Sequence, residues 1–414
     1  MQDTIAPVET WRTRNVWAIS LSAFFADLGY QAVLAGLPLY MVFSLHASVA
    51  LYGLTMALGY GGGSLIAYFG SKLGDRVGHR KLAIIGNLAI PLLSLSALFS
   101  SPVAAVGLFC GGWWARNLRT PSRRVMLQRS TTETTRTKAF GFLHSLDIGG
   151  GILAAIYLLA SLAAGIPYRY IFLGTMAPLI VSTVCLSITS IELNSDPSNP
   201  VSQSKAPSSS QGKSFEQRPL LPKSSSSAIL AATLLFGFSS YSIGFPVLTA
   251  AKESGAADLG VVAFLLFNVV SSATGLASIR FLGRSWIARF HRLGLFGYLP
   301  AALGAGLLGA AAGAQLGYGV VLGAVVILGV ALGIVETLEP ALMSVIRPEG
   351  GGGFGLLSAY RSAGLFIGNL VMGLLYSIGA DWSYGYAAIV ALVGATILLI
   401  KAHVIADQVP TSSY

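Results

Sequence analysis

The chain has 414 residues, of which 54% are hydrophobic and only 10% charged, against about 25% charged in an ordinary soluble domain. A formal charge of +10 would suggest nucleic acid as a partner of a soluble protein, but Lys and Arg also crowd the cytoplasmic loops of membrane proteins. Mean hydropathy is +0.71, and apolar runs of about 20 residues, the length of a bilayer-crossing helix, recur throughout; together they exclude a soluble enzyme or a nucleic-acid-binding domain.

Twelve helices are predicted in chain order, the first over about 15–44. Its apolar run begins near Val16 and is long enough to stay as a helix, so no cleaved signal peptide is expected. Asp27 lies near its middle, with Gln31 one turn away on the same face. The next two helices, about 50–69 and 82–99, flank the polar stretch GSKLGDRVGHRK (70–81), whose glycines permit a tight reversal between antiparallel neighbours. Helices follow at about 102–119, 138–162 and 169–190. Residues 191–227, which include SDPSNPVSQSKAPSSSQGKS, are too polar to bury a core and predict a flexible cytoplasmic linker. Beyond them come helices at about 228–250, 258–279, 293–311, 316–341, 353–378 and 383–403.

The chain thus divides into a six-helix bundle (1–190), a linker (191–227) and a second six-helix bundle (228–414). If the N-terminus is cytoplasmic, 22 of the 26 Lys and Arg fall on inside segments, while Arg169 and Lys252 alone fall outside and Arg116 and Arg361 lie within helices. The positive-inside rule therefore places both termini in the cytoplasm. The two cysteines, Cys110 and Cys185, sit in apolar runs and make neither a disulfide framework nor a metal site.

The halves resemble each other. FGFLHSLDIGG (140–150) aligns without gaps on FGLLSAYRSAG (354–364), which sets Asp147 opposite Arg361; RTPSRRVML aligns on LEPALMSVI, Pro121 on Pro340. Such a repeat predicts a pseudo-twofold axis along the membrane normal and a central cavity between the halves.

Twelve helices as six plus six, a long central loop and the motif Gly70, Gly74, Asp75, Arg76, Gly78, Arg80, Lys81 between helices two and three resemble the major facilitator superfamily over essentially the whole chain. The runs FFADLGYQAVLAGLPLYM, RTPSRRVMLQRS and VETLEPALMSVIRPEGGGGFGLLSAYRSAG are similar to a bacterial branch that includes nickel-resistance-type exporters and members of unassigned substrate. The sequence departs from that branch at Arg124, where an acidic residue is usual, and in lacking a His-rich tail. The resemblance implies a cavity lined by helices one, four, seven and ten, a cytoplasmic-membrane location and a monomer. It also implies that Asp75 latches the cytoplasmic side, meeting the start of helix eleven near Gly353 and Arg116 or Arg119.

Ionisable groups inside spanning helices are costly and point to function. Asp27 is the first candidate for a proton or cation site: a carboxylate out of water holds its proton, and a neighbouring cation displaces it, so proton and substrate can compete there. Glu336 and Glu339 align opposite Asn117 and Thr120, near Arg116 and Arg119, as an inner gate of acid–base pairs or, for Glu336, a direct proton or substrate site. Asp147 and Arg361 fit the same gate, without implying a direct bridge. The candidate substrate and proton residues are Asp27, Gln31, Asn117, Tyr241 and Glu336; the candidate gating residues are Gly74, Asp75, Arg76, Arg80, Arg116, Arg119, Asp147, Glu339 and Arg361. Tyr30, Trp113 and Trp114 can line the cavity or pack. His144 lies three residues before Asp147, yet the other histidines are scattered, and no metal site is assigned.

No nucleophile constellation, ATP-binding loop or zinc-protease motif occurs, and no cofactor is expected. The reading is a secondary transporter, most simply proton-coupled efflux of a metal or organic cation, with uptake or uniport as the alternative.

Overall fold

The computed structural model describes residues 11–190, 223–239, 242–281, 286–346 and 352–408, and every regular element among them is helical. The first six segments are α1 (Arg14–Ser44), α2 (Val49–Val77), α3 (His79–Ala97), α4 (Pro102–Arg129), α5 (Glu133–Ala163) and α6 (Tyr168–Ser187). The second six are α7 (Lys223–Ser239 and Gly244–Ser254), α8 (Ala257–Phe281), α9 (Trp286–Arg292 continuing through Leu293–Tyr298 and Leu299–Ala314), α10 (Tyr318–Ile346), α11 (Gly352–Ile378) and α12 (Ala380–Gln408). Eleven segments are long and apolar enough to cross a membrane. The exception is α4, which carries Arg116, Arg119, Arg123, Arg124 and Arg129.

Local chemistry sets many of these boundaries. Ser48 accepts the Leu51 amide at 3.2 Å and starts α2; Ser101 accepts that of Ala104 and, with Pro102 in the first turn, starts α4. The polar knot at 70–81 is almost entirely helical. α2 runs through Asp75 and Arg76 to Val77, α3 begins at His79, and Gly78 alone reverses the chain at φ 95° and ψ 127°.

Three expectations need correction. The fourth helix continues ten residues beyond 119, because Pro121 forfeits one backbone hydrogen bond while its fixed φ remains helical. Arg123 and Arg124 therefore belong to the helix and not to a loop. The seventh segment is broken between Ser239 and Gly244, with Ser242 and Ile243 outside the helix. Helix also begins at Lys223, so the last five residues of the expected linker are helical; the linker's residues 191–222 lie outside the described residues.

Packing builds two groups and a seam. α1 packs on α5 and α6 and α4 on α2 and α3; correspondingly α7 packs on α11 and α12 and α10 on α8 and α9. Between the groups, α2 meets α11 and α5 meets α8, two contacts exchanged by the repeat. On the α2–α11 seam Gly53 faces Gly373, where a Cβ on Gly53 would stand 2.6 Å from the Gly373 Cα. Small residues let two backbones touch there.

The apolar core differs at the two ends. Away from the termini one cluster joins both groups, with Val33, Leu37 and Phe109 alongside Phe245, Phe264 and Met372. At the terminus end there are two clusters, one around Ile19, Met126 and Leu143 and one around Phe290, Leu342 and Leu398, each confined to its own group. The molecule is sealed at the far end and parted at the end that carries the termini.

Gly78→Ala places a side chain at a positive φ that L residues avoid. It is expected to cost about 1–3 kcal/mol and to lower the melting temperature of the purified protein, read by intrinsic fluorescence.

Candidate functional site

A set of charged and aromatic side chains gathers between α1 and α4, most of them buried. On α1 the Tyr30 hydroxyl donates to the Asp27 carboxylate, three residues back. Arg116 of α4 donates to the same hydroxyl at 3.1 Å, and its guanidinium lies 4.7 Å over the Tyr30 ring and 4.8 Å over the Trp113 ring. Asp27 is buried at 6% exposure. A Cβ on Gly150 of α5 would stand 3.1 Å from its own Cβ, so only glycine lets α5 close over it. Gln31 is half-buried beside Gly151. Trp113 packs edge-on to Tyr30 and Tyr60 and stacks with Phe109, while Trp114 donates to the Leu58 carbonyl.

Two ion pairs flank this centre. Arg123 of α4 meets Asp147 of α5 at 3.3 Å, and Arg361 of α11 meets Glu339 of α10, whose carboxylate also accepts the Tyr298 hydroxyl of α9. Glu339 is wholly buried. Asp147 and Arg361 are aligned by the repeat, and each finds its counter-ion on the preceding helix of its own half. The charge is exchanged at the aligned position, the counter-ions come from different positions of α4 and α10, and the pairs lie within the halves, not between them.

Glu336 stands apart. It is exposed and, among the described residues, makes neither ion pair nor hydrogen bond. A carboxylate within a spanning helix is costly against lipid, so an exposed one there points to function. The charges that reach it are those of Arg361, His144 and Glu339. His144 is itself exposed on α5. No group of three or more His, Cys, Asp or Glu among the described residues is placed to hold a metal ion.

Several predicted residues sit elsewhere. Arg119 is fully buried and points away from the cavity: it donates to Asn87 Oδ1 at 2.6 Å, and Asn87 donates to Thr183 and Ser182, which itself donates to the Ser22 carbonyl. This chain ties α4, α3, α6 and α1 together. Asn117 donates to the Trp113 carbonyl of its own helix and packs on Gly63 of α2. Asp75 is 70% exposed and pairs with His79 at 3.1 Å, whose other ring nitrogen lies 3.2 Å from Ser122. Among the described residues no ion pair or hydrogen bond joins Asp75 to Arg116 or Arg119. Gly74 leaves room for the His79 ring, Arg80 donates to the Ser187 carbonyl, and Arg76 is exposed. Tyr241 lies outside the described residues.

The sealed end carries residues that the sequence analysis overlooked. The Tyr52 hydroxyl of α2 is 2.6 Å from the Ser242 hydroxyl in the α7 break, and the Ser242 amide donates to Asn369 of α11 at 2.9 Å. Asn369 thereby satisfies a backbone group freed by the break. Thr249 adds bonds to Tyr376 and Tyr384. Two signals were available: the cluster SYSIGFP inside an apolar run, and the lone Asn within α11.

Two repeated groups of spanning helices, joined by one apolar cluster at one end and separate at the other, are built like a solute transporter. Residues 19–351 match the family description Major Facilitator Superfamily. The chain belongs to that superfamily of transporters. Its fold is shared with the nucleoside transporter NupG, at 14% identity and TM-score 0.66, covering 96% of this chain and 99% of that one. It is shared also with a POT family transporter in complex with 5-aminolevulinic acid (15%, TM-score 0.69, 95% and 96%) and with a D-xylose-proton symporter (14%, TM-score 0.70, 94% and 97%). No curated protein matches by sequence.

Tyr52→Phe removes the hydrogen bond that crosses the seal, worth about 1 kcal/mol and so roughly a five-fold shift towards a state open at the far end. Cys110, buried beneath the seal beside Thr55, is the native reporter: its labelling by a membrane-impermeant maleimide from the far side is expected to rise accordingly.

Proposed function

We propose that this transporter exports a small cationic solute from the cytoplasm in exchange for protons, by alternating access. The observation that carries the reading is Glu336, an exposed carboxylate without an ion pair among the described residues, on a helix whose apolar cluster at the terminus end is confined to its own half. A proton and a cation both neutralise that group, and each excludes the other. Exclusive occupancy of one site, carried between two openings, is sufficient for exchange.

In this reading the bundles 1–190 and 228–414 rock about the α2–α11 and α5–α8 seams, joined by the linker 191–227, in the cytoplasmic membrane with both termini inside. The distribution of Lys and Arg supports the orientation. Asp27, covered by Tyr30 and Arg116, is a second protonation site reached when α1 and α4 move. Arg361 has Glu339 as its partner and Glu336 within reach of its charge, so exchanging one carboxylate for the other would register the occupancy of Glu336 at the interface of the halves. Closure of the inner end would bring Asp75 towards the first turn of α11, whose positive dipole end favours a carboxylate. A monomer contains all of these groups.

The test is accumulation of divalent metals and of lipophilic organic cations in an efflux-deficient host. The intact chain is expected to lower accumulation of one class. Glu336→Gln and an uncoupler are each expected to abolish that effect, and Asp27→Asn to reduce it at least ten-fold. Raised accumulation would instead establish uptake, and insensitivity to the uncoupler with both variants active would establish uniport.

A further inference from the structure

A cavity lies between α8, α9 and α10. It has a volume of about 410 Å³ and is walled by Thr274 and Ser278 of α8, Arg292 and Phe296 of α9, and Ile334 and Leu338 of α10. Its origin is geometric. α8 and α10 touch backbone to backbone where Gly333 meets Gly275, a Cβ on Gly333 standing 2.9 Å from the Gly275 amide nitrogen. The cavity occupies the space on the terminus side of that crossing, where α9 forms its third wall. Phe296 is 55% exposed on a helix otherwise apolar enough to span the membrane, so the opening faces lipid.

We propose that this groove binds one anionic phospholipid of the terminus-side leaflet, with an acyl chain in the cavity and the phosphate on Arg292. The inference is independent of what the transporter carries. An apolar slot opening onto the hydrocarbon region accepts a hydrocarbon chain, the solute at highest concentration there. Arg292 is the charged group among the described residues of its wall, and it follows Arg289 and His291 at the basic end of α9. A lipid phosphate reaches this level while its chain stays in the bilayer, and basic residues at the inner face attract anionic headgroups. Ile334 and Leu338 lie two residues either side of Glu336, so a seated chain would press on the part of α10 that presents Glu336 to the central cavity.

The full chain, purified in mild detergent, is titrated with phosphatidylglycerol or phosphatidylcholine and examined by native mass spectrometry and thermal unfolding. One phosphatidylglycerol is expected to be retained at least ten-fold more strongly than phosphatidylcholine and to raise the melting temperature, as a ligand of the folded state must. Arg292→Gln is expected to remove the preference between headgroups, Arg292→Lys to keep most of it, and Ser278→Trp, which fills the slot, to remove the retained lipid while leaving Arg292 in place. Equal retention of the two lipids by the parent overturns the proposal, as does undiminished phosphatidylglycerol in Ser278→Trp. Competition by glycerol phosphate as strong as that by the intact lipid also overturns it, because the chain would then contribute nothing.

Discussion

A spanning helix with several arginines has to keep every one of them away from hydrocarbon, and that constraint organises the N-terminal half. α4 meets it differently at each position. Arg116 lies over the Tyr30 and Trp113 rings, Arg119 is enclosed by Asn87, and Arg123 pairs with Asp147. Arg124 is exposed near the terminus-side end of the helix. Each solution recruits a different neighbour, so α1, α3 and α5 are held around α4 by charge-assisted bonds as well as by packing. The same bonds cover Asp27.

The C-terminal half applies the constraint with the signs reversed. Its tenth helix carries two carboxylates, one neutralised by Arg361 and Tyr298 and the other left exposed. A membrane protein bears the cost of an uncompensated charge only where water or a ligand reaches it. The separation of the apolar core at the terminus end supplies that access. The shared cluster and the Tyr52–Ser242–Asn369 bonds at the other end withhold it. Opening on one side and seal on the other follow from a single arrangement of helices.

Much of the fold was legible in the chain because it depends on run length and charge distribution. Eleven spans declare themselves by hydropathy, and the repeat through Pro121 and Pro340 relates the halves without any structure. The reach of α4 was not legible, since a proline among arginines ordinarily signals an end and only the enclosing helices make continuation favourable. Nor were the partners of the charges. Whether Arg119 or Arg123 meets Asp147 depends on the rotation of one helix against another, and an error of one residue turns a side chain through about 100°. Glu339 and Glu336 lie one turn apart in sequence, yet one is enclosed and the other exposed. The seal was missed because Tyr, Ser and Asn pack, cap or bridge according to what stands opposite.

The central claim is that Glu336 stands in water continuous with the terminus side and cut off from the other. Placing a single cysteine there, Glu336→Cys with Cys110 and Cys185 changed to serine, tests it directly in vesicles of either orientation. Rapid modification is predicted for a membrane-impermeant thiol reagent applied from the terminus side, and modification at least ten-fold slower from the far side. Equal reaction from both sides, or none from either, would contradict it.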